Sequence, residues 1–314
     1  MAEAIKKVGL IGAGAMGQPM AENLIQKGFE TFVVAHHNRQ PVEALVAQGA
    51  HEVHSYAEMA GMVEAIVTMV PDAPQVEEVC FGPAGIIEGA KPGLLLIDMS
   101  TISPTASQQI AKRLAAAQIV MLDAPVSGGP FRAKSGTLAI MAGGDPQVFE
   151  RGKPVLEAMG SPVLVGPNGL GETVKMVNQI IIGVLMMGIA EGFTFGVKAG
   201  ADAQALREVL MNATSANYLM DKWLPQNLFK DDYSQGFATE LLCKDLNAAL
   251  SAGRDLGVPM MGTALAHQLY TVVKGLGYNR EDYSAISRIY QDAAGITIAT
   301  GQKRENKSEN SPNA

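Results

Sequence analysis

VGLIGAGAMGQPMAENLIQKG, from Val8 to Gly28, decides how this chain is to be read. Val8 to Ile11 is a short apolar run of the kind that forms a buried strand. Met16 to Lys27 has helical periodicity, and Gly28 is a residue type suited to a helix C-terminus. Between them stands GAGAMG, a G-x-G-x-x-G spacing that carries physical meaning when it joins a strand to a helix. Gly12 permits a tight turn, Gly14 lets the backbone approach a pyrophosphate, and Gly17 lets the helix pack on the strand. The helix N-terminus adds N–H donors and its positive dipole. Gly12, Ala13, Gly14, Ala15, Met16 and Gly17 are therefore expected to form a dinucleotide-binding turn.

Working outward, strand and helix signals keep alternating. Thr31 to Ala35 is the next strand, Pro41 to Gln48 a helix, and Ala65 to Val70 a strand stopped by Pro71. Leu94 to Asp98 and Ile119 to Leu122 complete the series. Strands separated by helices imply βαβ units and a mostly parallel sheet. Beyond Pro167 the strand signals fade. Gly171 to Gly200 reads as one long helix, followed by Ala203–Met211, Leu241–Leu256, Thr263–Leu276 and Tyr283–Gln291. The expected fold class is α/β: an N-terminal Rossmann-type doubly wound parallel sheet, then an all-α C-terminal domain joined by a long helix. The expected boundaries are 1–166 for the dinucleotide-binding domain, 167–300 for a helical domain serving substrate and dimerisation, and 301–314 for a polar, disordered tail. Gly188, Gly192 and Gly196 share one face of the long helix, a spacing suited to close helix packing within the subunit or across a dimer.

Composition narrows the function classes. The 314 residues are 47% hydrophobic and 18% charged, which describes a globular chain rather than a disordered one. The net charge of −7, with no basic stripe, argues against nucleic acid as a partner. Cys80 and Cys243 are far apart and lack metal-ligand spacing, so no metal is expected, and both read as buried thiols of a reducing compartment. MAEAIKKVGLIGAG passes from a few polar residues into a strand without a signal-type apolar region, so a cytoplasmic location is expected. The longest apolar run, Ile180 to Ala190, is too short to span a bilayer, and no membrane association is expected.

The end of the second strand should separate NAD from NADP. An acidic residue there would bond the ribose 2′-hydroxyl. This chain instead has His36, His37, Asn38 and Arg39. Arg39 could grip a 2′-phosphate with its planar fork, the histidines adding donors, or all of them could be solvated loop residues. NADP is favoured and NAD stays possible. Val70 and Pro71, with Ser100 and Thr101 after Asp98, end neighbouring strands and point at the same crevice. Ser100 and Thr101 could equally cap the next helix.

Two further segments carry chemistry. In DAPVSGGPFRAKSGTLAIMAGG, Asp123 to Gly144, the sequence Ser127-Gly128-Gly129 offers a hydroxyl and a row of unobstructed N–H groups, a nest for a carboxylate or phosphate. Taken alone, the same residues could be a plain strand–turn connection. In GETVKMVNQ, Gly171 to Gln179, Lys175 lies among Val174, Met176 and Val177, and Asn178 shares its helix face. Desolvation would lower the lysine pKa toward the range of acid–base catalysis. A lysine snorkelling at a domain junction gives the same pattern.

GAGAMGQPMAENL (12–24), DMSTISP (98–104), DAPVSGG with AKSGTLAIMAGG, and GETVKMVNQ resemble the four signatures of the β-hydroxyacid dehydrogenase family. LLCKDLNAAL (241–250) resembles a fifth, and the similarity runs in order from about residue 5 to 295. The resemblance implies hydride transfer between a nicotinamide and a small carboxylate-bearing aldehyde or 3-hydroxy acid. It implies that Ser127, Gly128 and Gly129 hold the substrate carboxylate, that Lys175 is the acid–base catalyst, and that Asn178 orients the substrate beside it. It further implies that Phe237, Lys244 and Asp245 help to close the site, with Lys244 on the cofactor side. Gln179 stands where the 3-hydroxyisobutyrate enzymes have a second Asn, and together with GIIEGAKPG (85–93) it resembles the tartronate semialdehyde reductases. HHNR departs from both and resembles the NADPH-using semialdehyde reductases. The favoured reading is tartronate semialdehyde reduction, with 3-hydroxyisobutyrate oxidation or glyoxylate and succinic semialdehyde reduction as alternatives. The rivals are an imine reductase, disfavoured by Lys175; a short 6-phosphogluconate dehydrogenase, disfavoured by the small helical domain; and a non-catalytic NADP sensor. A homodimer or homotetramer is expected.

Overall fold

A computed structural model describes residues 4–36, 38–234 and 236–299. In chain order it forms β1 (Lys7–Ile11), α1 (Gly17–Gln26), β2 (Glu30–Val34), α2 (Gln40–Val46), β3 (His51–Val53), α3 (Tyr56–Met62) and β4 (Ala65–Thr68). Next come α4 (Ala73–Phe81), α5 (Ile86–Gly89), β5 (Leu95–Asp98), α6 (Pro104–Ala116), β6 (Val120–Asp123), β7 (Val126–Ser127) and α7 (Gly129–Lys134). β8 (Leu138–Gly143), α8 (Pro146–Glu157), β9 (Gly160–Gly166) and the long α9 (Leu170–Lys198) follow. The rest is helical: α10 (Ala203–Met211), α11 (Thr239–Asp255), α12 (Met261–Gly275) and α13 (Ser287–Ala294), with a π-helical turn at Leu219–Trp223 and 3-10 turns at Leu228–Lys230 and Tyr283–Ile286.

The strands make one 9-stranded sheet of order β3-β2-β1-β4-β5-β6-β8-β7, with β9 beside β8. From β3 to β6 all pairings are parallel. Their residues are apolar almost throughout, as strands covered by helices on both faces must be. Val8, Leu10, Val67, Leu95 and Leu122 face one core and Ile11, Phe32, Ile66 and Leu96 the other. The strand order reverses around β1, and the carboxyl ends of β1 and β4 are where sheets with such a reversal bind ligands.

The sequence pattern missed β3, β7, β8 and β9. β3 and β7 are too short for a period to show. β9 contains Pro162 and carries an exposed Val163, so its burial does not alternate cleanly. β8 runs antiparallel to β6 and β7, which departs from a purely parallel sheet.

Two compact units divide between Val177 and Asn178, inside α9. The sequence pattern puts the change near Gly166, where strands stop; the opening turns of α9 nonetheless belong with the sheet, because β6 caps them. The second unit has its own core, built from Met186, Phe193, Leu242, Leu246, Tyr270 and Tyr283 among others. Among the described residues α9 is one helix long and apolar enough to cross a bilayer by length and composition. It exceeds the run Ile180–Ala190 because helix propagates through the mixed segments on either side. Met186, Ala190, Phe193 and Val197 are buried in the helical core. The expected disordered tail lies outside the described residues.

Candidate active site

The glycine turn after β1 has the construction its spacing predicts. Gly12 adopts φ +100°, and a Cβ there would lie 2.2 Å from the Met69 carbonyl oxygen. A Cβ on Gly17 would lie 2.0 Å from the Gly12 carbonyl oxygen. Both positions exclude every other residue. Gly14 differs: a Cβ there meets nothing within 4 Å. Its glycine serves no packing need inside the chain, which fits close approach of a ligand to the backbone. α1 is preceded by Met16, which makes no side-chain cap, and has no acidic residue in its first turn, so its N–H groups and dipole suit an anion. The residues present therefore fit a dinucleotide pyrophosphate.

Two neighbouring strand ends are wired together beside this turn. The buried Asp98 accepts from the Thr68 hydroxyl (2.8 Å) and from the Ser100 N–H (3.1 Å). The Ser100 hydroxyl in turn accepts from the Val70 N–H at 3.0 Å. Val70 is thereby fixed against the Gly12 turn, since its Cγ1 lies 3.3 Å from a Cβ built on Gly12. Pro71 is exposed and Thr101 half-buried at the same edge. The cap of α6 falls to Ser103, whose Oγ accepts from the Ala106 N–H, rather than to Ser100 or Thr101. Burial pushes the Asp98 carboxyl up, against the hydrogen bonds from Ser100 and Thr68 that hold it down.

At the end of β2, His36, Asn38 and Arg39 are exposed, and His37 lies outside the described residues. Asn38 turns inward along the chain, its Oδ1 accepting from the Gln40 N–H. The Arg39 fork is engaged: its Nη2 donates to both Glu52 oxygens (2.9 and 3.1 Å), and its Nε lies 3.7 Å from Glu43. The sequence reading did not foresee this pairing, because Glu52 comes from the adjacent β3, joined to β2 only by the sheet.

Beyond β6 the chain builds the second locus. β7 pairs with β8, setting Ser127 opposite Ala139. Gly128 (φ +135°) and Gly129 (φ +66°) then both take conformations that L side chains rarely adopt, so the row of N–H groups depends on glycine. Asp123, at the tip of β6, reaches the start of α9. Its Oδ1 accepts from the Gly169 N–H (2.8 Å) and Asn168 Nδ2 (3.3 Å), and its Oδ2 from the Glu172 N–H (3.1 Å). A strand-end carboxylate thus caps the long helix. Burial pushes the Asp123 carboxyl up, opposed by these donors. One turn past Glu172, Lys175 is only 7% exposed.

In the helical unit four residues form a polar chain. Asn178 Nδ2 donates to Gln179 Oε1 (2.8 Å), Gln179 Nε2 donates to Asp245 Oδ2 (2.7 Å), and Lys244 Nζ pairs with Asp245 Oδ1 (3.1 Å). Gln179 and Asp245 are each 1% exposed. Phe237 is held by other contacts. Its N–H donates to Asp282 (2.8 Å) and its ring meets Tyr283 edge-on at 6.1 Å. Asp282 also accepts from the Trp223 indole N–H and from Ser284, and burial pushes its carboxyl up.

Gln179, Asp98, Asp123 and Asp282 were not singled out as site residues. The signal was present for three of them: Gln179 stands at the second position of the Asn pair, and Asp98 and Asp123 are acidic residues ending apolar strands, where a buried carboxylate needs donors. Nothing local marks Asp282. No group of His, Cys, Asp and Glu among the described residues could hold a metal.

Both parts of the chain match families of nicotinamide-dependent dehydrogenases. Residues 7–170 match the NAD-binding domain of 6-phosphogluconate dehydrogenase, and residues 169–290 match the NAD-binding domain of NADP-dependent 3-hydroxyisobutyrate dehydrogenase. The chain is 38% identical to the 2-hydroxy-3-oxopropionate reductase of Escherichia coli over 295 residues, 93% of this chain and 100% of that one. It is 37% identical to the 2-(hydroxymethyl)glutarate dehydrogenase of Eubacterium barkeri over 297 residues, 94% and 98% of the two chains. The crystal structure of a 3-hydroxyisobutyrate dehydrogenase from Salmonella typhimurium is similar with a TM-score of 0.81 at 34% identity, covering 90% of this chain and 99% of that one.

Proposed function

The chain belongs to the β-hydroxyacid dehydrogenase family, and from that premise we propose that it reduces tartronate semialdehyde, 2-hydroxy-3-oxopropionate, with Lys175 as the proton donor. At the coarser level it is an NAD(P)-dependent oxidoreductase acting on CH–OH groups. One observation carries the reading: Lys175 is only 7% exposed near the start of α9, whose first N–H groups are capped by Asp123 of β6, and the glycine turn Ser127–Gly128–Gly129 follows that strand in the chain. A carboxylate-bearing substrate on the turn is then presented to a fixed amine. The Asn178–Gln179 pair favours the tartronate enzyme within the family.

The residues that would hold the dinucleotide are the turn 12–17, Val70, Pro71 and Thr101, with His36, His37, Asn38 and Arg39 toward the adenosine ribose and Lys244 in the helical unit. When bound, the nicotinamide supplies the hydride for reduction or accepts it for oxidation. Ser127 and the Gly128 and Gly129 amides hold the substrate acid group, which sets the distance of its carbonyl from the lysine. Protonated Lys175 hydrogen-bonds the carbonyl oxygen and donates its proton as the alkoxide develops; in oxidation the neutral amine takes the hydroxyl proton. Asn178, three residues along the same helix, orients the substrate, and Gln179, Asp245 and Lys244 hold Asn178 in place. Phe237 and Asp245 contribute to substrate binding.

A second reading, oxidation of a hydroxymethyl dicarboxylate, draws on the 37% identity to the 2-(hydroxymethyl)glutarate enzyme. Initial rates with NADPH and NADH against tartronate, succinic and methylmalonate semialdehydes and glyoxylate, and with NADP+ and NAD+ against 2-(hydroxymethyl)glutarate, separate the two. A clear preference for tartronate semialdehyde supports the first reading. Preference for another compound replaces it, and no turnover despite tight dinucleotide binding moves weight to a sensing role. The reading includes a cytoplasmic homodimer or homotetramer. It draws on the exposed Ile181 and Phe195 of α9 and on Gly188 and Gly192, beside which a Cβ would meet nothing of this chain within 4 Å.

A further inference from the structure

Gly128 is glycine for more than its φ. A Cβ at that position would lie 2.6 Å from Cδ, 2.7 Å from Cβ and 3.0 Å from Cγ of Arg132. The alkyl stem of Arg132 is therefore laid across the turn, and covalent geometry keeps its guanidinium within a few ångström of the stem's Cδ. The backbone of Arg132 is fixed: its carbonyl accepts from the Thr137 N–H at 3.0 Å and from the Ser135 hydroxyl at 3.3 Å, closing the end of α7.

The guanidinium has no such closure. Arg39, Arg113, Arg207 and Arg288 each pair with a carboxylate, and Arg151 donates to the Gly93 and Glu64 carbonyls. No described residue pairs with the head groups of Arg132, Arg254 and Arg280, and of the three only Arg132 is half-buried. A guanidinium whose stem is packed down on the turn and whose head group has no described carboxylate partner is open to an anion. In a chain of net charge −7, where acidic side chains outnumber basic ones 31 to 24, an unmatched arginine beside an N–H nest is a specific arrangement. The nest itself offers dipoles but no formal charge. A guanidinium fork matches a carboxylate in shape and charge.

We propose that Arg132 is the specificity-determining cation of this site: its guanidinium neutralises the acid group seated on Ser127, Gly128 and Gly129, so that anionic substrates are selected over neutral ones of the same carbon skeleton. This rests on the reading of the turn as the carboxylate seat. Arg132 touches the acid group and not the reacting carbonyl, so it acts on binding and leaves the proton transfer at Lys175 unchanged.

The test compares the wild type with Arg132→Met, which keeps the stem, and Arg132→Lys, which keeps the charge. Each is assayed on the best aldehyde acid and on its methyl ester. Expected for Arg132→Met is a 10- to 100-fold rise in KM for the acid, with kcat, the KM for the ester and the KM for the dinucleotide little changed. Arg132→Lys should recover part of the loss. An unchanged KM for the acid, or equal rises for acid and ester, overturns the proposal. A rise confined to the dinucleotide also overturns it, by assigning Arg132 to the cofactor. If the wild type turns over none of these compounds, the functional reading fails on its own account. Calorimetric titration with malonate then tests Arg132 without turnover: weaker binding to Arg132→Met supports it, and equal binding overturns it.

Discussion

Lys175 is held at 7% exposure near the start of a helix. A charged amine so placed is retained for its chemistry or for a partner, because burial alone penalises it. Lys175→Ala is expected to lower kcat at least 1,000-fold while dinucleotide affinity, read by fluorescence titration, stays within twofold. Loss of dinucleotide binding in that variant would place the lysine in the wrong role. At the second strand end the interesting residue is Glu52, which occupies the fork of Arg39. A 2′-phosphate would have to compete with that carboxylate. Glu52→Gln should therefore lower the KM for NADPH several-fold and leave NADH unchanged, the gain shrinking at high salt because both partners are partly exposed. Arg39→Ala should raise the KM for NADPH far more than that for NADH; equal effects in steady-state assays would remove Arg39 from cofactor choice. Lys175, Ser127 and Arg39 were legible in the sequence because their neighbours are. Glu52 was not, since only sheet pairing brings β3 to β2.

Elements position these residues, and α9 shows how. Its first N–H groups are satisfied by Asp123, a residue of β6. Asp123→Ala should cost about 1–3 kcal/mol in chemical denaturation, the range for leaving buried donors unsatisfied. It should also lower kcat while the KM for the dinucleotide holds. A stability loss without a kcat effect would make the cap purely structural. Asp98 makes a pH prediction. Burial raises its folded pKa above the unfolded value of about 3.9. The folded state then holds a proton that the unfolded state has released, so stability contributed by this group falls as pH rises from about 4. Asp98→Asn lacks that cost. The Tm of the variant relative to wild type should climb from pH 4 toward neutrality, and a flat difference would show that Asp98 does not titrate as its burial implies.

The described residues form three cores, one on each face of the sheet in the first unit and one in the helical unit beyond the division within α9. The dinucleotide turn belongs wholly to the first unit, so ligand stabilisation should appear there: at 100 times Kd, NADPH should add about 2.7 kcal/mol to the unfolding of that unit. Calorimetry with and without NADPH reads this directly, and a shift confined to the helical unit would contradict the assignment. The exposed Phe195, 76% accessible on α9, belongs to the oligomer expectation. Phe195→Glu should lower the mass seen by sedimentation if copies associate through this helix.

The sequence by itself determined the parallel sheet, the glycine turn, the long helix and the family, because each depends on local spacing: a strand end, a φ only glycine adopts, a period of apolar residues. Tertiary structure decided what those elements hold. Asp123 caps a helix 46 residues away from it at Gly169, Glu52 captures Arg39, and Asp245 closes on Gln179 from 66 residues along the chain. Charges and donors separated so far in sequence have no pattern to announce them. Folding alone brings them together, and at the buried Asp123 and Asp245 it also removes the water that would otherwise satisfy each group.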